Sequence, residues 1–369
     1  MASEDNTVIE ITPSANIIDS SSNSLFNSST TTNIRYPANV PFQITLNRGQ
    51  VFNAMGEIVN GVGADLTGSL VKSINCDKKI AVWAGNGRTF VNTSLPTPCT
   101  VSSGSDNMLQ QMFPRVAWGT KYLTTPTKTM EYSVYKICVL DPATRVWVNN
   151  PAHNTPLTGL IGNFYYQIEN NSYNLIESDK PVMLIQYVVT GGCQSNAVGN
   201  NGNGDPEMII LSPVQQAITN TSVFSAGRMS IASNGASYIN VVIKNGGVPS
   251  FRLDPATNPT QMVDTGTSSY STTSIYGSST LIPIANAFKV HPNEPGYSYA
   301  RFRVTSSQYH YLVSDTGFNA IAYGMAQGES YGYNAGTAIK NLSAIVQTIN
   351  PYDSVSGTKT CKGNPVTLQ

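Results

Sequence analysis

Apolar residues in this chain come in short runs, nearly all four to eight residues long, each bounded by Gly, Pro, Asn or Asp. Thr7 to Thr12, Thr-Val-Ile-Glu-Ile-Thr, alternates in the period-two manner of a half-buried strand. Asn16 to Asn33 is a Ser/Thr/Asn run without period and reads as a long loop. Phe42 to Leu46 resumes strand patterning. Asn47-Arg48-Gly49 then suits a short turn between antiparallel strands, and Val51 to Ala54 continues the pattern. The turn Asp65 to Ser69 leads into Leu70 to Ile74, and Asp77-Lys78-Lys79 feeds an apolar strand at Ile80 to Ala84. No stretch keeps apolar residues at i, i+3, i+4 and i+7 over three turns, although Met108 to Phe113 predicts one short helical turn. The fold class is all-β, expected as three related antiparallel β-sandwich-like lobes in tandem, packed into one rigid unit.

The three lobes follow from internal similarity. Ile74-Asn75-Cys76-Asp77-Lys78-Lys79-Ile80-Ala81-Val82 is echoed by Ile176-Glu177-Ser178-Asp179-Lys180-Pro181-Val182-Met183-Leu184, and more loosely by Leu312 to Ala322. Upstream, Glu4 to Ile11 resembles Leu140 to Val148, and Tyr135 to Val139 is the expected hairpin partner of Thr144 to Val148. Tyr238 to Ile243, the turn Lys244 to Gly247, and Ser250 to Leu253 form a third hairpin-like pair. Downstream, Asp106 precedes Pro114 at the same spacing as Asp205 precedes Pro213. The expected domains are a first lobe at 1–130, a second at 131–225, a third at 226–336, and a linker with the start of an Ig-like module at 337–369. The first lobe begins at the equivalent of Thr144. Residues 7–12 are therefore expected as an edge strand whose partner is lost or supplied elsewhere, open to sheet augmentation.

Composition narrows the function. Lys plus Arg equals Asp plus Glu, at 21 each in 369 residues, so the basic footprint of nucleic-acid binding is missing. Charged residues make up only 11% against 40% hydrophobic, with 19 Tyr, which is not the signature of disorder. No apolar run reaches membrane-span length. The first thirty residues lack a signal-peptide pattern, so any export signal is expected upstream or removed. Five cysteines, Cys76, Cys99, Cys138, Cys193 and Cys361, contain no C-x-x-C pair. Two disulfides among the first four are expected over buried thiols, with the pairing open.

Candidate chemistry is sparse. Gly328-Glu329-Ser330-Tyr331-Gly332 fits G-x-S-x-G, yet Gly-rich sequence follows it where a helix should start, and no His comes after His310. Ser330 as the nucleophile of a serine hydrolase is thus the enzymatic alternative, and a Gly/Tyr turn closing a sheet is favoured. His291 and His310 read as ordinary residues. The loop Gly199 to Glu207 is rich in oxygen donors and is the one candidate for calcium. It lacks the EF-hand register, so no cofactor is expected. Asp106 and Asp205 are expected to cap turns. Tyrosines cluster late in the chain, and Tyr297, Tyr299, Tyr331 and Tyr333 are the candidate ligand-binding residues, for glycan or protein.

Taken in order, several motifs resemble the IgGFc-binding-protein N-terminal family. They are Ala2 to Val8, Asp65-Leu66-Thr67-Gly68, Asp77 to Val82, Gly104 to Gln111 with Pro114, Trp118-Gly119-Thr120, Ser178 to Val182, Gly204-Asp205-Pro206-Glu207-Met208, and Tyr323-Gly324 to Tyr333. The resemblance implies a non-enzymatic extracellular or cell-surface adhesion module that recognises glycan or glycoprotein ligands. Relatives of this kind occur in mucus-associated animal glycoproteins and in large surface proteins of gliding, Bacteroidetes-type bacteria. In the latter, Ig-like repeats and a type IX secretion sorting domain often follow, and the bacterial branch is the expectation here. The tail from Cys361 reads as the first strand of such a repeat, with further domains of the same long chain as partners. Asp353-Ser354-Val355 resembles a short O-glycosylation signal of such bacteria. A purely architectural spacer is the remaining alternative.

Overall fold

The computed structural model describes residues 1–18, 34–75, 78–95, 105–128, 132–191, 204–226, 236–254, 260–263, 280–304, 308–326, 328–340, 348–349 and 367–368. The chain divides into two compact units. One comprises Met1–Trp83, Gly162–Tyr165 and Asn341–Gln369, and the other Ala84–Ile161 and Tyr166–Lys340.

In the first unit, β1 (Thr7–Thr12) lies between β2 (Phe42–Leu46) and β3 (Leu70–Ser73) in an antiparallel sheet. Ile9 faces Ile44 on one side and Ser73 on the other. The expected open edge is thus corrected. β1 is a central strand with both edges paired inside its own unit, because the chain returns twice to it. Its alternation is real: Thr7, Ile9 and Ile11 are buried while Val8, Glu10 and Thr12 are half-buried. Val51 to Ala54 forms no strand. Ile80 makes only an isolated bridge to Ala2, and the strand placed there starts later, as β4 (Trp83–Thr89).

The second unit adds β5 (Asp106–Gln111), paired with β4, where one helical turn is expected from Met108 to Phe113. Its residues alternate in exposure around a buried Met108, and the contacts of an edge strand outweigh local propensity. Two large sheets follow. The first holds β6 (Gly119–Leu123), β7 (Ser133–Val139), β8 (Val146–Val148), β9 (Tyr165–Asn170), β10 (Leu175–Val188) and β11 (Glu207–Leu211). The second holds β12 (Ile218–Ser225), β13 (Ala236–Lys244), β14 (Arg252–Leu253), β15 (Glu294–Val304), β16 (Gln308–Ala326) and β17 (Glu329–Asn334), with three shorter strands beyond.

The two sheets have the same topology. The first runs β6-β10-β7-β9 with β8 and β11 also on β10; the second runs β12-β16-β13-β15 with β14 and β17 also on β16. A 3₁₀ turn introduced by proline precedes each, Pro114 before Arg115–Ala117 and Pro213 before Val214–Gln216. The equal Asp-to-Pro spacing therefore marks where each repeat begins. The boundaries expected at 130 and 225 fall differently: β6 precedes the first yet belongs to the first large sheet, and β12 precedes the second yet pairs with β16.

The expected hairpins are also corrected. β7 and β8 do not pair with each other, nor do β13 and β14; each pair lies along one long strand, β10 or β16. What repeats is local geometry. A hydroxyl reaches back three residues to a carbonyl at Thr7 to Glu4 (2.8 Å), Thr144 to Asp141 (2.6 Å) and Ser250 to Gly247 (3.0 Å). Each launches the strand that pairs with β3, β10 or β16.

The core of the second large sheet surrounds Phe251, Phe302 and Phe318, all at most 1% exposed, with Phe251 and Phe302 stacked at 5.9 Å. Leu123, Leu175 and Val242 join the sheets in a smaller apolar cluster. Beside it, Asn240 donates to Thr125 Oγ1 at 2.8 Å and accepts from the Tyr323 hydroxyl at 3.0 Å, which satisfies a buried amide. Of the cysteines, Cys138 is buried in β7. Cys76, Cys99, Cys193 and Cys361 lie outside the described residues, as do most of the tail from 350 and Asp353 to Val355.

Candidate binding surface

Alternation along β16 sets one row of side chains inward and another outward. His310, Leu312 and Ser314 are buried, while Tyr309 is 65% exposed, Tyr311 60% and Val313 38%. Opposite Tyr309 in register stands Phe224 of β12, 43% exposed, with the two rings 5.0 Å apart. Adjacent apolar residues in a strand must point opposite ways, so burying Val223 sends Phe224 outward. Beneath the row, the buried His310 Nδ1 meets Asp254 Oδ2 at 2.7 Å, and Asp254 Oδ1 accepts the Tyr311 amide at 2.8 Å. The outward aromatics thus stand on a braced backbone.

The four tyrosines singled out by sequence form two separate groups. Tyr299 lies in register with Val242, which pairs with Asn319, whereas Tyr331 pairs with Gly324, five positions along β16. Tyr297 and Tyr299 pack on the Leu123, Leu175 and Val242 cluster, and Tyr299 tilts against Tyr173 at 4.4 Å. Tyr331 lies flat over Gly324, where a Cβ would come within 2.3 Å of its ring, so only glycine admits that close approach. The Tyr333 hydroxyl accepts the Phe224 amide at 2.8 Å and donates to the Phe224 carbonyl at 2.6 Å. All four are half-buried, and Tyr333 anchors the segment that carries the exposed Phe224. Sequence reasoning missed Phe224, although its place next to Val223 in an alternating strand was the available signal.

Several charged side chains elsewhere among the described residues are paired. Lys121 sits between Glu294 and Glu177, and Glu177 also meets His153 Nε2 at 2.8 Å. Burial pulls the Lys121 pKa down, but the two carboxylates outweigh it and hold the value above the ordinary one. His153 stacks on Trp147 at 4.3 Å.

A carboxyl group of a different kind lies between the large sheets. Burial, reinforced by Asp106 and Glu329, pushes the Asp205 pKa up to about 6. Burial likewise pushes Glu207 up to about 7, against hydrogen bonds from the Met208 and Gly332 amides. The turn-capping role expected of Asp205 is absent from its side chain, whose Oδ1 is buried with no hydrogen-bond partner among the described residues. Asp106 does accept a local amide, that of Asn107, at 2.7 Å. Ser330 donates its hydroxyl to the Asp205 carbonyl at 2.6 Å. The three histidines instead meet Glu177, the Thr124 carbonyl and Asp254, so no Ser-His pair is assembled among the described residues.

Among the described residues no group of three or more His, Cys, Asp or Glu side chains is arranged to hold a metal ion. Most of the loop considered for calcium, 199–203, lies outside them. A cavity between the sheets, lined by Thr125, Gln186 and Asn240 among others, measures about 30 Å³, room for about one water. No helix among the described residues is long and apolar enough to cross a membrane.

One protein-family model matches the chain, over residues 1–324, and its description is IgGFc binding protein. No curated protein and no solved structure matches.

Proposed function

The chain belongs to the IgGFc-binding-protein family, and from that premise we propose that it is a non-enzymatic extracellular binding module that recognises a glycan or glycoprotein surface. The observation that carries this reading is the outward row of Phe224, Tyr309, Tyr311 and Val313, aromatic and apolar side chains held on a hydrogen-bonded sheet. Rigid aromatics give large contact area at low entropic cost, and isolated apolar groups on a surface need no such bracing. Tyr331 and Tyr333 support the row from β17, and Tyr297 and Tyr299 support the far end of the sheet. Surface localisation, and the bacterial setting with its secretion and gliding associations, accompany this reading through the family. The other domains of the long chain that the sequence suggests would present the module.

The test is binding of the whole chain to a broad glycan array, to mucin and to antibody Fc. Tyr309→Ala and Tyr311→Ala, both at exposed positions, are expected to weaken binding at least tenfold without moving Tm. An absence of binding to every surface by a correctly folded chain would favour an architectural spacer, a role that the repeated topology of the two large sheets also fits. Nothing in the geometry favours a Ser330 hydrolase, since the Ser330 hydroxyl is committed to a backbone carbonyl. A fluorophosphonate probe is expected to leave it unlabelled.

A further inference from the structure

The chain contains three Asp-Pro bonds, Asp141-Pro142, Asp205-Pro206 and Asp254-Pro255. Such bonds are the weakest in a polypeptide towards acid, because the aspartate carboxyl can attack its own carbonyl carbon and proline nitrogen leaves as a secondary amine. The structure treats the three differently. The Asp141 carboxylate is engaged by Lys180 at 2.5 Å and by the Ala143 amide at 2.8 Å. That of Asp254 is engaged by His310 and the Tyr311 amide. Asp205 is only 5% exposed, and its Oδ1 has no partner among the described residues.

The backbone of that bond is also set up for reaction. The carbonyl that would be attacked is the one that accepts the Ser330 hydroxyl at 2.6 Å, a donor placed where negative charge would develop. Both flanks are clamped: the Gly204 amide donates to the Ala326 carbonyl at 2.7 Å, and Glu207 begins β11, paired along β10. Clamping holds the reacting groups together and lowers the entropic cost of closing the ring.

We propose that the chain cleaves its own backbone between Asp205 and Pro206. An Asp205 side-chain oxygen attacks the Asp205 carbonyl carbon, forming a five-membered cyclic anhydride. The C–N bond to Pro206 breaks, and its electron pair takes the proton given up by the Asp205 carboxyl, so Pro206 becomes a free amino terminus. Water then opens the anhydride and leaves Asp205 with two carboxyl groups. Ser330 is the catalytic residue that stabilises the oxyanion, and no oxidant, metal or cofactor enters the balance. The fragments stay associated, because β11 remains paired with β10 across the cut. The Asp205 carboxyl must be protonated to supply that proton, and its raised pKa brings the protonated form into mildly acidic solution.

The test is intact-mass spectrometry of the purified full chain, incubated at pH 5 and at pH 8 and then denatured. The expected products are 1–205 and 206–369, formed at least tenfold faster at pH 5, with the other two Asp-Pro bonds intact. Ser330→Ala is expected to slow the cut at least tenfold while binding and Tm hold. Asp205→Glu, which keeps a carboxyl but needs a larger ring, is expected to abolish it. A chain that stays whole at pH 5 overturns the proposal. So does cleavage no faster than in the urea-unfolded chain at the same pH, and so does cleavage unaffected by both substitutions.

Discussion

Glu207 and Asp205 are carboxyl groups whose pKa burial raises, and this fixes the sign of a pH effect. The Glu207 pKa stands at about 7 in the folded chain against an ordinary 4.5. The folded state therefore holds a proton that the unfolded state has released, and stability falls as pH rises from about 4.5 through about 7. Glu207→Gln removes that cost. Its Tm is expected to exceed that of the parent chain by about 2–4 °C at pH 8 and to match it near pH 4. His291 works in the opposite direction, since burial lowers its pKa and its contribution is lost as pH falls. The comparison therefore has to be made between the variant and the parent at each pH. At this scale the sequence was legible in part. The absence of a downstream His already disfavoured a Ser330 nucleophile, but the partner of Ser330, 125 residues away, depends on how two sheets meet and has no local signature. Likewise Tyr309 and Tyr311 differ from Tyr331 and Tyr333 only in which face of the sheet is covered.

At the level of elements, the strand patterning identified β1 and β2 well, because each is half-buried and shows its inside and outside in sequence. The sequence echo around Asp77, Asp179 and Asp315 did mark a recurring strand. In β10 and β16, however, that strand runs on for 14 and 19 residues and gathers neighbours along both edges, whereas near Ile80 it shrinks to one bridge. Pairing was not legible, since strands adjacent in sequence were assumed to be adjacent in space, and β7 with β8 and β13 with β14 are not. The pairing of β4 with β5 can be tested directly. A Cβ on Gly85 would lie 1.9 Å from the Met108 carbonyl oxygen, a backbone atom that no side-chain rotation can move aside. Gly85→Ala is expected to pull this pair apart, raising hydrogen exchange across Asp106–Gln111 by at least tenfold with little change in β13 or β16.

For the whole molecule, the shared topology of the two large sheets means that the chain uses one pattern twice, β6 to β11 and then β12 to β17. The composition and the apolar runs made an all-β chain evident, and the sequence echoes made repetition evident. The boundaries were misplaced because the clearest echo lies in the middle of each repeat, while the prolines that open it, Pro114 and Pro213, are a sparse signal. The two long strands carry a further consequence, for the order of folding. β12, β13 and β14 each pair with β16, a strand made after all three of them. A ribosome that has not yet released Gln308–Ala326 therefore holds unfinished edges in the second sheet, whereas the first sheet is complete once Leu211 has emerged. Pulsed hydrogen exchange during refolding is expected to show β7 and β10 protected as one group, and β12 protected only together with β16. Protection of β12 well before β16 would mean that some other partner holds it first.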